Sequence, residues 1–317
     1  MYATYLRNEG HEVIWWDSGD GFYPNMQYPL YDKVIRNDFQ IDVPFEKLPY
    51  PDRTFTDAKN KRWQSYGNYK KHPATHMMAS NLCWWGKCTF CIDTAKLQAG
   101  EKRGLRSVDH VLEEIDDLIK LGFREVFDDS GTFPIGAWLH EFCYKMMEKD
   151  RNKKIMLGCN MKPIAEKVVP FKLMKEAGFR FMLVGVESAN QATIDKIKKG
   201  QESHNVVKNM KAMNDAGLEV HLTSMFGYPW ETHEENMRTV NEIHYLLRKG
   251  YVKTAQASVF MPPRTAPDSN SPAQKYIQMV YDIYKDPRYW VRKILDIKRW
   301  EDVSYLLKRI GHVKHAS

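Results

Sequence analysis

Three cysteines fall within nine residues of this chain, Cys83-Trp84-Trp85-Gly86-Lys87-Cys88-Thr89-Phe90-Cys91, and no other segment is as well equipped for chemistry. Thiolates are soft ligands for iron, zinc and copper, and clustered cysteines in a reducing compartment bind metal or do redox work more often than they form disulfides. Three of them on one tight loop can hold a [4Fe–4S] cluster by three corners and leave the fourth iron open to bind substrate. Mononuclear zinc is the competing reading, because Cys88-x2-Cys91 is also a zinc-knuckle spacing and His72 or His76 could add a fourth ligand. Trp84 and Trp85 put apolar bulk between the first two thiols, which suits a cluster shielded from water. The other two cysteines, Cys143 and Cys159, stand alone, one in a helical pattern and one in a strand pattern, and read as buried small apolar residues.

Such a loop works only if something rigid holds it. Apolar or β-branched runs recur at His76–Leu82, 125–129, 154–159, 180–187, 219–226 and 253–261, each short enough for a strand. Helical patterns lie between them. The clearest buries Val108, Val111, Leu112, Ile115, Leu118 and Ile119, with Ser107 as N-cap and Gly122 as terminator. A second starts at a Thr232-x-x-Glu235 capping box and ends at Gly250. Segments 171–177 and 206–216 add two more. Strands alternating with helices argue for parallel βαβ units, and six such units fit an open barrel better than a flat sheet. Active sites of α/β barrels lie at the C-terminal ends of the strands, and the cysteine loop follows the first of these runs.

The flanks differ in character. Residues 1–62 are punctuated by Pro24, Pro29, Pro44, Pro49 and Pro51 and hold one helix-plus-strand unit, Tyr2–Asp17, so they read as an irregular lead-in to a barrel of residues 63–272. Residues 273–317 carry ten Lys/Arg against five Asp/Glu and read as a basic helical extension. Net charge is +7 over 317 residues, too mild to make nucleic acid the expected partner. No apolar run approaches the ~18 residues of a membrane span, and Arg7, Glu9 and His11 interrupt any signal-peptide core, so the expected location is cytoplasmic.

With its C-x4-C-x2-C loop after the first strand, the chain resembles the radical S-adenosylmethionine superfamily, whose usual loop reads C-x3-C-x2-C, over about residues 73–268. The resemblance implies a partial (β/α)6 barrel, a [4Fe–4S] cluster on Cys83, Cys88 and Cys91, and S-adenosylmethionine on the open iron. It also implies an enzyme that cleaves this cofactor reductively to a 5′-deoxyadenosyl radical, which abstracts hydrogen from a substrate. Phe90 matches the aromatic before the last cysteine. Gly185-Val186-Glu187-Ser188 resembles a G-x-E-S segment whose acid and following serine approach the ribose and methionine parts of the cofactor. Gly227-Tyr228-Pro229-Trp230-Glu231-Thr232 resembles a G-x-P-x-E-T turn, which makes Gly227 a candidate. Asp128-Asp129-Ser130-Gly131-Thr132-Phe133 resembles a segment of the branch that carries a cobalamin domain, with Asp128 and Asp129 as candidates for the cofactor's amino group. Tyr2–Asp17 is similar to the start of such a domain, but the D-x-H-x-x-G motif is absent from the chain, so cobalamin is not expected on this chain alone. The implied partners are an electron donor such as flavodoxin or ferredoxin and a substrate the motifs do not name. Cobalamin-dependent methyl transfer, methylthio transfer to RNA and a non-catalytic zinc or iron–sulfur module stand as alternatives.

Overall fold

The computed structural model describes residues 8–9, 43–53, 69–261, 271–297 and 302–303. The unit Tyr2–Asp17 and the far end of the basic tail lie largely outside these. Six strands, β1 (Ala74–Met77), β2 (Glu125–Asp128), β3 (Met156–Met161), β4 (Phe179–Glu187), β5 (Glu219–Phe226) and β6 (Thr254–Val259), pair in parallel in chain order. β1 and β6 are the two edges of this sheet, as in an open (β/α)6 barrel. Parallel neighbours need a crossover connection, and helices supply one in every interval.

These helices are α1 (Ile92–Gln98), α2 (Val108–Lys120), α3 (Ala137–Glu148), the short α4 (Arg151–Lys154), α5 (Phe171–Glu176), α6 (Gln191–Lys196), α7 (Val206–Asp215) and α8 (His233–Lys249); α9 (Gln274–Tyr281) and α10 (Pro287–Leu295) follow the last strand. Helix α2 starts where Ser107 Oγ accepts the His110 N–H, and it buries Val108, Val111, Leu112, Ile115 and Leu118. Helix α8 opens on the Thr232–Glu235 capping box and closes at Gly250 in the left-handed conformation. Along β4, Met182, Val184 and Val186 join the core beneath the helices, so Phe181, Leu183, Gly185 and Glu187 fall on the opposite, inner face. None of the helices among the described residues is long and apolar enough to cross a membrane.

Strand β1 departs from the expected run at His76–Leu82. It ends at Met77, because the backbone beyond it is drawn off the sheet by side chains: the Ala79 N–H goes to Asp128 Oδ2 at 2.7 Å and the Ser80 N–H to Ser130 Oγ at 2.9 Å. Cys83 therefore sits on a loop six residues past the end of the strand rather than directly after it. Strand β3 starts two residues later than expected, because Lys154 completes α4.

Charges close the end of the barrel opposite the cysteine loop. Arg180 pairs with Glu125 and, at 2.8 Å, with Glu219, while Lys70 lies 2.6 Å from both Glu219 and Asp302. Glu125 and Glu219 are the first residues of their strands and Arg180 is the second of its own, so this network caps the N-terminal ends.

Candidate functional site

The three thiols of the loop are free, Cys83 and Cys88 buried and Cys91 half-buried. Local hydrogen bonds fix the loop. Cys91 is the N-cap of α1, its N–H donating to the Cys88 carbonyl at 3.1 Å, and Asp93 in the first turn reaches back to accept the Cys83 N–H at 2.8 Å. Cys83 Sγ lies 3.3 Å from Thr132 Oγ1 on the loop after β2. Burial pushes the Cys88 and Cys91 thiols up, and at Cys88 the nearby Lys199 and Lys162 ammonium groups oppose that rise. Cations that favour thiolate are what a metal-binding loop needs. Cys143 and Cys159 are fully buried in α3 and β3, with Cys143 pushed up to about 12 by burial, so they are inert.

Among the described residues, no group of three or more His, Cys, Asp or Glu converges as a single metal ion requires. Of the two zinc candidates His72 and His76, the second has its Nε2 2.8 Å from the Tyr69 hydroxyl.

Glu187 ends β4 with φ of 67°, in the left-handed region that a residue carrying a Cβ seldom occupies. Its Oε1 accepts from Lys199 Nζ at 2.6 Å, and both side chains are buried. Burial pulls the Lys199 ammonium down, but the Glu187 carboxylate together with the nearby Cys88 and Cys83 thiols outweighs it and the net direction is upward. Gly185 makes room for the pair: a Cβ there would fall 2.4 Å from Glu187 Oε1 and 2.8 Å from Lys199 Nζ. Ser188 donates to Glu231 Oε1 at 2.6 Å and accepts the Asn190 N–H at 3.1 Å. Three polar atoms around this strand end are buried without a partner, namely Gln201 Oε1, Glu231 Oε2 and the Tyr228 hydroxyl. Buried polar atoms left unpaired cost about 1–3 kcal/mol each, so their concentration here fits a polar ligand bound beside Glu187. Phe90 packs with Ile194, Ile197, Met225, Tyr228, Trp230 and Phe260 in a separate apolar cluster. Gly227 follows the last residue of β5 with φ of 89°, and a Cβ there would fall 2.9 Å from the Ala273 side chain.

The two adjacent acids separate. Asp129 is exposed at the strand end, whereas Asp128 is fully buried, and both its oxygens are used, Oδ2 by Ala79 N–H and Oδ1 by Ser130 N–H at 3.0 Å. Burial pushes Asp128 up to about 7 against the pull of these hydrogen bonds. Its carboxylate is committed to holding the loop that leads to Cys83. Replacing it by Asn leaves one acceptor oxygen for two N–H groups, and we expect Asp128→Asn to lose about 1–3 kcal/mol in urea unfolding. An unchanged midpoint would refute this structural role.

Lys199, Lys162 and Asp93 were not marked by the sequence reading. The only signal for Lys199 is the Lys198-Lys199-Gly200 triplet, which looks like an ordinary solvated run. Lys162 directly follows β3 and is buried; burial, with Lys199 nearby, brings it down to about 8.

The profile of the Radical SAM superfamily matches residues 77–243. The uncharacterized methyltransferase PH0819 of Pyrococcus horikoshii is 27% identical over 167 residues, 52% of this chain and 35% of that protein. A protein of Methanocaldococcus jannaschii, MJ0865, named provisionally as a methylthiotransferase, is 23% identical over 180 residues, 54% of this chain and 37% of its own length. The chain thus spans little more than a third of these curated relatives. Among solved structures, the radical S-adenosylmethionine methyltransferase TsrM from Kitasatospora setae, solved with cobalamin and a [4Fe–4S] cluster bound, superposes with a TM-score of 0.51 at 17% identity, covering 60% of this chain and 37% of that one. That likeness is one of fold.

Proposed function

The chain belongs to the radical SAM superfamily of enzymes, whose cofactors are a [4Fe–4S] cluster and S-adenosylmethionine, and from that premise we propose that it is the radical-generating barrel of a methyl- or methylthio-transfer enzyme. In this reading Cys83, Cys88 and Cys91 hold the cluster, and Glu187 and Asp129 receive hydroxyl and amino groups of S-adenosylmethionine. When bound there, the two cofactors together supply a reductive carbon–sulfur cleavage that yields methionine and a 5′-deoxyadenosyl radical able to take hydrogen from a substrate.

The observation that carries this reading is the pairing of two features at one barrel mouth. Three free thiols lie on a loop pinned by Asp93 and Thr132, and a strained, buried strand-end carboxylate lies among unpaired polar atoms. The protein's own tasks are positional. Asp93 fixes Cys83, Asp128 fixes the approach to it, and Phe90 with the apolar cluster beside it keeps water from one side of the mouth. The names of the two curated relatives support methyl or methylthio transfer as the outcome.

Anaerobic reconstitution with iron and sulfide, followed by a reductant and S-adenosylmethionine, tests the reading. We expect a brown protein that releases 5′-deoxyadenosine and methionine. About one zinc and no iron in anaerobically purified protein would refute it.

A further inference from the structure

A buried cation beside the cysteine loop has no carboxylate partner among the described residues. Lys162 follows the last residue of β3, on the inner-face phase of Gly158 and Asn160, and is 6% exposed. Its Nζ donates to the Lys199 carbonyl at 2.7 Å and to the Gly200 carbonyl at 3.3 Å, and it lies 3.5 Å from the centre of the Trp85 ring and 5.5 Å from that of Trp84. Among the described residues, the ion pairs found do not include it, whereas neighbouring Lys199 is neutralised by Glu187. Burying an ammonium against neutral carbonyls and a ring is costly unless a negative charge answers it.

The same contacts tie three segments of the barrel mouth. Trp85 Nε1 donates to the Lys198 carbonyl at 2.8 Å, and the Thr89 N–H donates to the Ile197 carbonyl at 3.0 Å, so the cysteine loop is bonded to the loop after α6. Gly200, with φ of 62°, lies against the Trp85 ring; a Cβ there would fall 1.9 Å from it. Trp85 lies between Cys83 and Cys88, in the stretch that is one residue longer than the usual spacing. Its side chain is drawn out of the loop into a seat made by Lys162 and Gly200. A cation over an indole face within about 6 Å is attracted by the ring, more strongly when desolvated.

We propose that Lys162 is a positioning residue for the iron–sulfur site: it seats Trp85 and thereby fixes the longer Cys83–Cys88 loop, and its uncompensated charge favours the reduced, more negative cluster. This rests on the cluster-binding reading above. The two roles separate by substitution. Lys162→Met removes charge and seat together, Lys162→Arg keeps the charge, and Trp85→Phe keeps the charge while losing the Lys198 hydrogen bond.

The test uses the whole chain, anaerobically reconstituted, with iron and sulfide content, a spectroscopic redox titration and the rate of iron loss to a chelator as readouts. At a fixed solution potential we expect K162M to show about a tenfold lower ratio of reduced to oxidised cluster, the scale of one buried charge at short range, and K162R to restore it. W85F is expected to lose iron to the chelator faster while keeping the wild-type potential. A K162M protein with wild-type potential and wild-type iron retention would overturn the proposal alone. If K162M does not fold, W85F losing iron no faster than wild type would overturn it. A wild-type chain that takes up no iron would overturn the underlying reading, and the proposal with it.

Discussion

Single replacement of Cys83, Cys88 or Cys91 by Ala is expected to abolish the iron–sulfur cluster, and with it the broad absorbance near ~400 nm of thiolate-bound iron and sulfide. The loss should be near complete in each case. The three thiols lie on one loop, and the Asp93 carboxylate beside them is already engaged by the Cys83 N–H at 2.8 Å. Cys143→Ala and Cys159→Ala should retain full iron, because both side chains are sealed in the core, away from the loop. Those two controls guard against a general effect of removing thiols. Iron and sulfide analysis after identical reconstitution settles the matter, and a Cys88→Ala protein with wild-type iron would remove the loop from the site.

Substitution at Glu187 should give the second largest effect, and it should show two separable losses. Glu187→Gln removes the carboxylate proposed to receive the ribose hydroxyls, so calorimetry on cluster-loaded protein should find S-adenosylmethionine bound ten- to a hundredfold more weakly, the loss of a charge-assisted hydrogen bond worth about 1.5–3 kcal/mol. It also strands Lys199, whose Nζ is 2.6 Å from Glu187 Oε1 in a buried setting, and breaking one side of such a pair costs about 3–5 kcal/mol of folding stability. The double variant Glu187→Gln with Lys199→Met removes both charges. It should recover most of that stability while leaving cofactor affinity low. Full recovery of affinity in the double variant would mean that Glu187 acts only by holding Lys199.

Much of this molecule was legible because the signals are local. The Thr232–Glu235 box, the Ser107 cap and the terminator at Gly250 each concern a few neighbouring residues, and all three appear as read. Strand β5 occupies the expected residues because its run is bounded by Gly217 and Gly227, so neighbouring turns fix its length. The cysteine loop was legible for the same reason: three like ligands within nine residues are a pattern that needs no partner element to be seen.

What the sequence could not decide depended on which distant groups meet. It determined a barrel of parallel units and the loop that would carry the thiols. Only the tertiary structure decided that β1 stops at Met77, since the cause is a carboxylate and a hydroxyl fifty residues away that capture the backbone of Ala79 and Ser80. The same holds for the two adjacent acids: chemically alike in sequence, they alternate across the strand end, so one is sealed into the scaffold and the other left open to solvent. Nothing in the sequence sets Lys162 and Lys199 apart, because a charged residue carries no local mark of burial. Their place beside the thiols arises when β3 and the loop after α6 converge on the mouth of the barrel, where a carboxylate answers one ammonium and carbonyl oxygens and an indole ring hold the other.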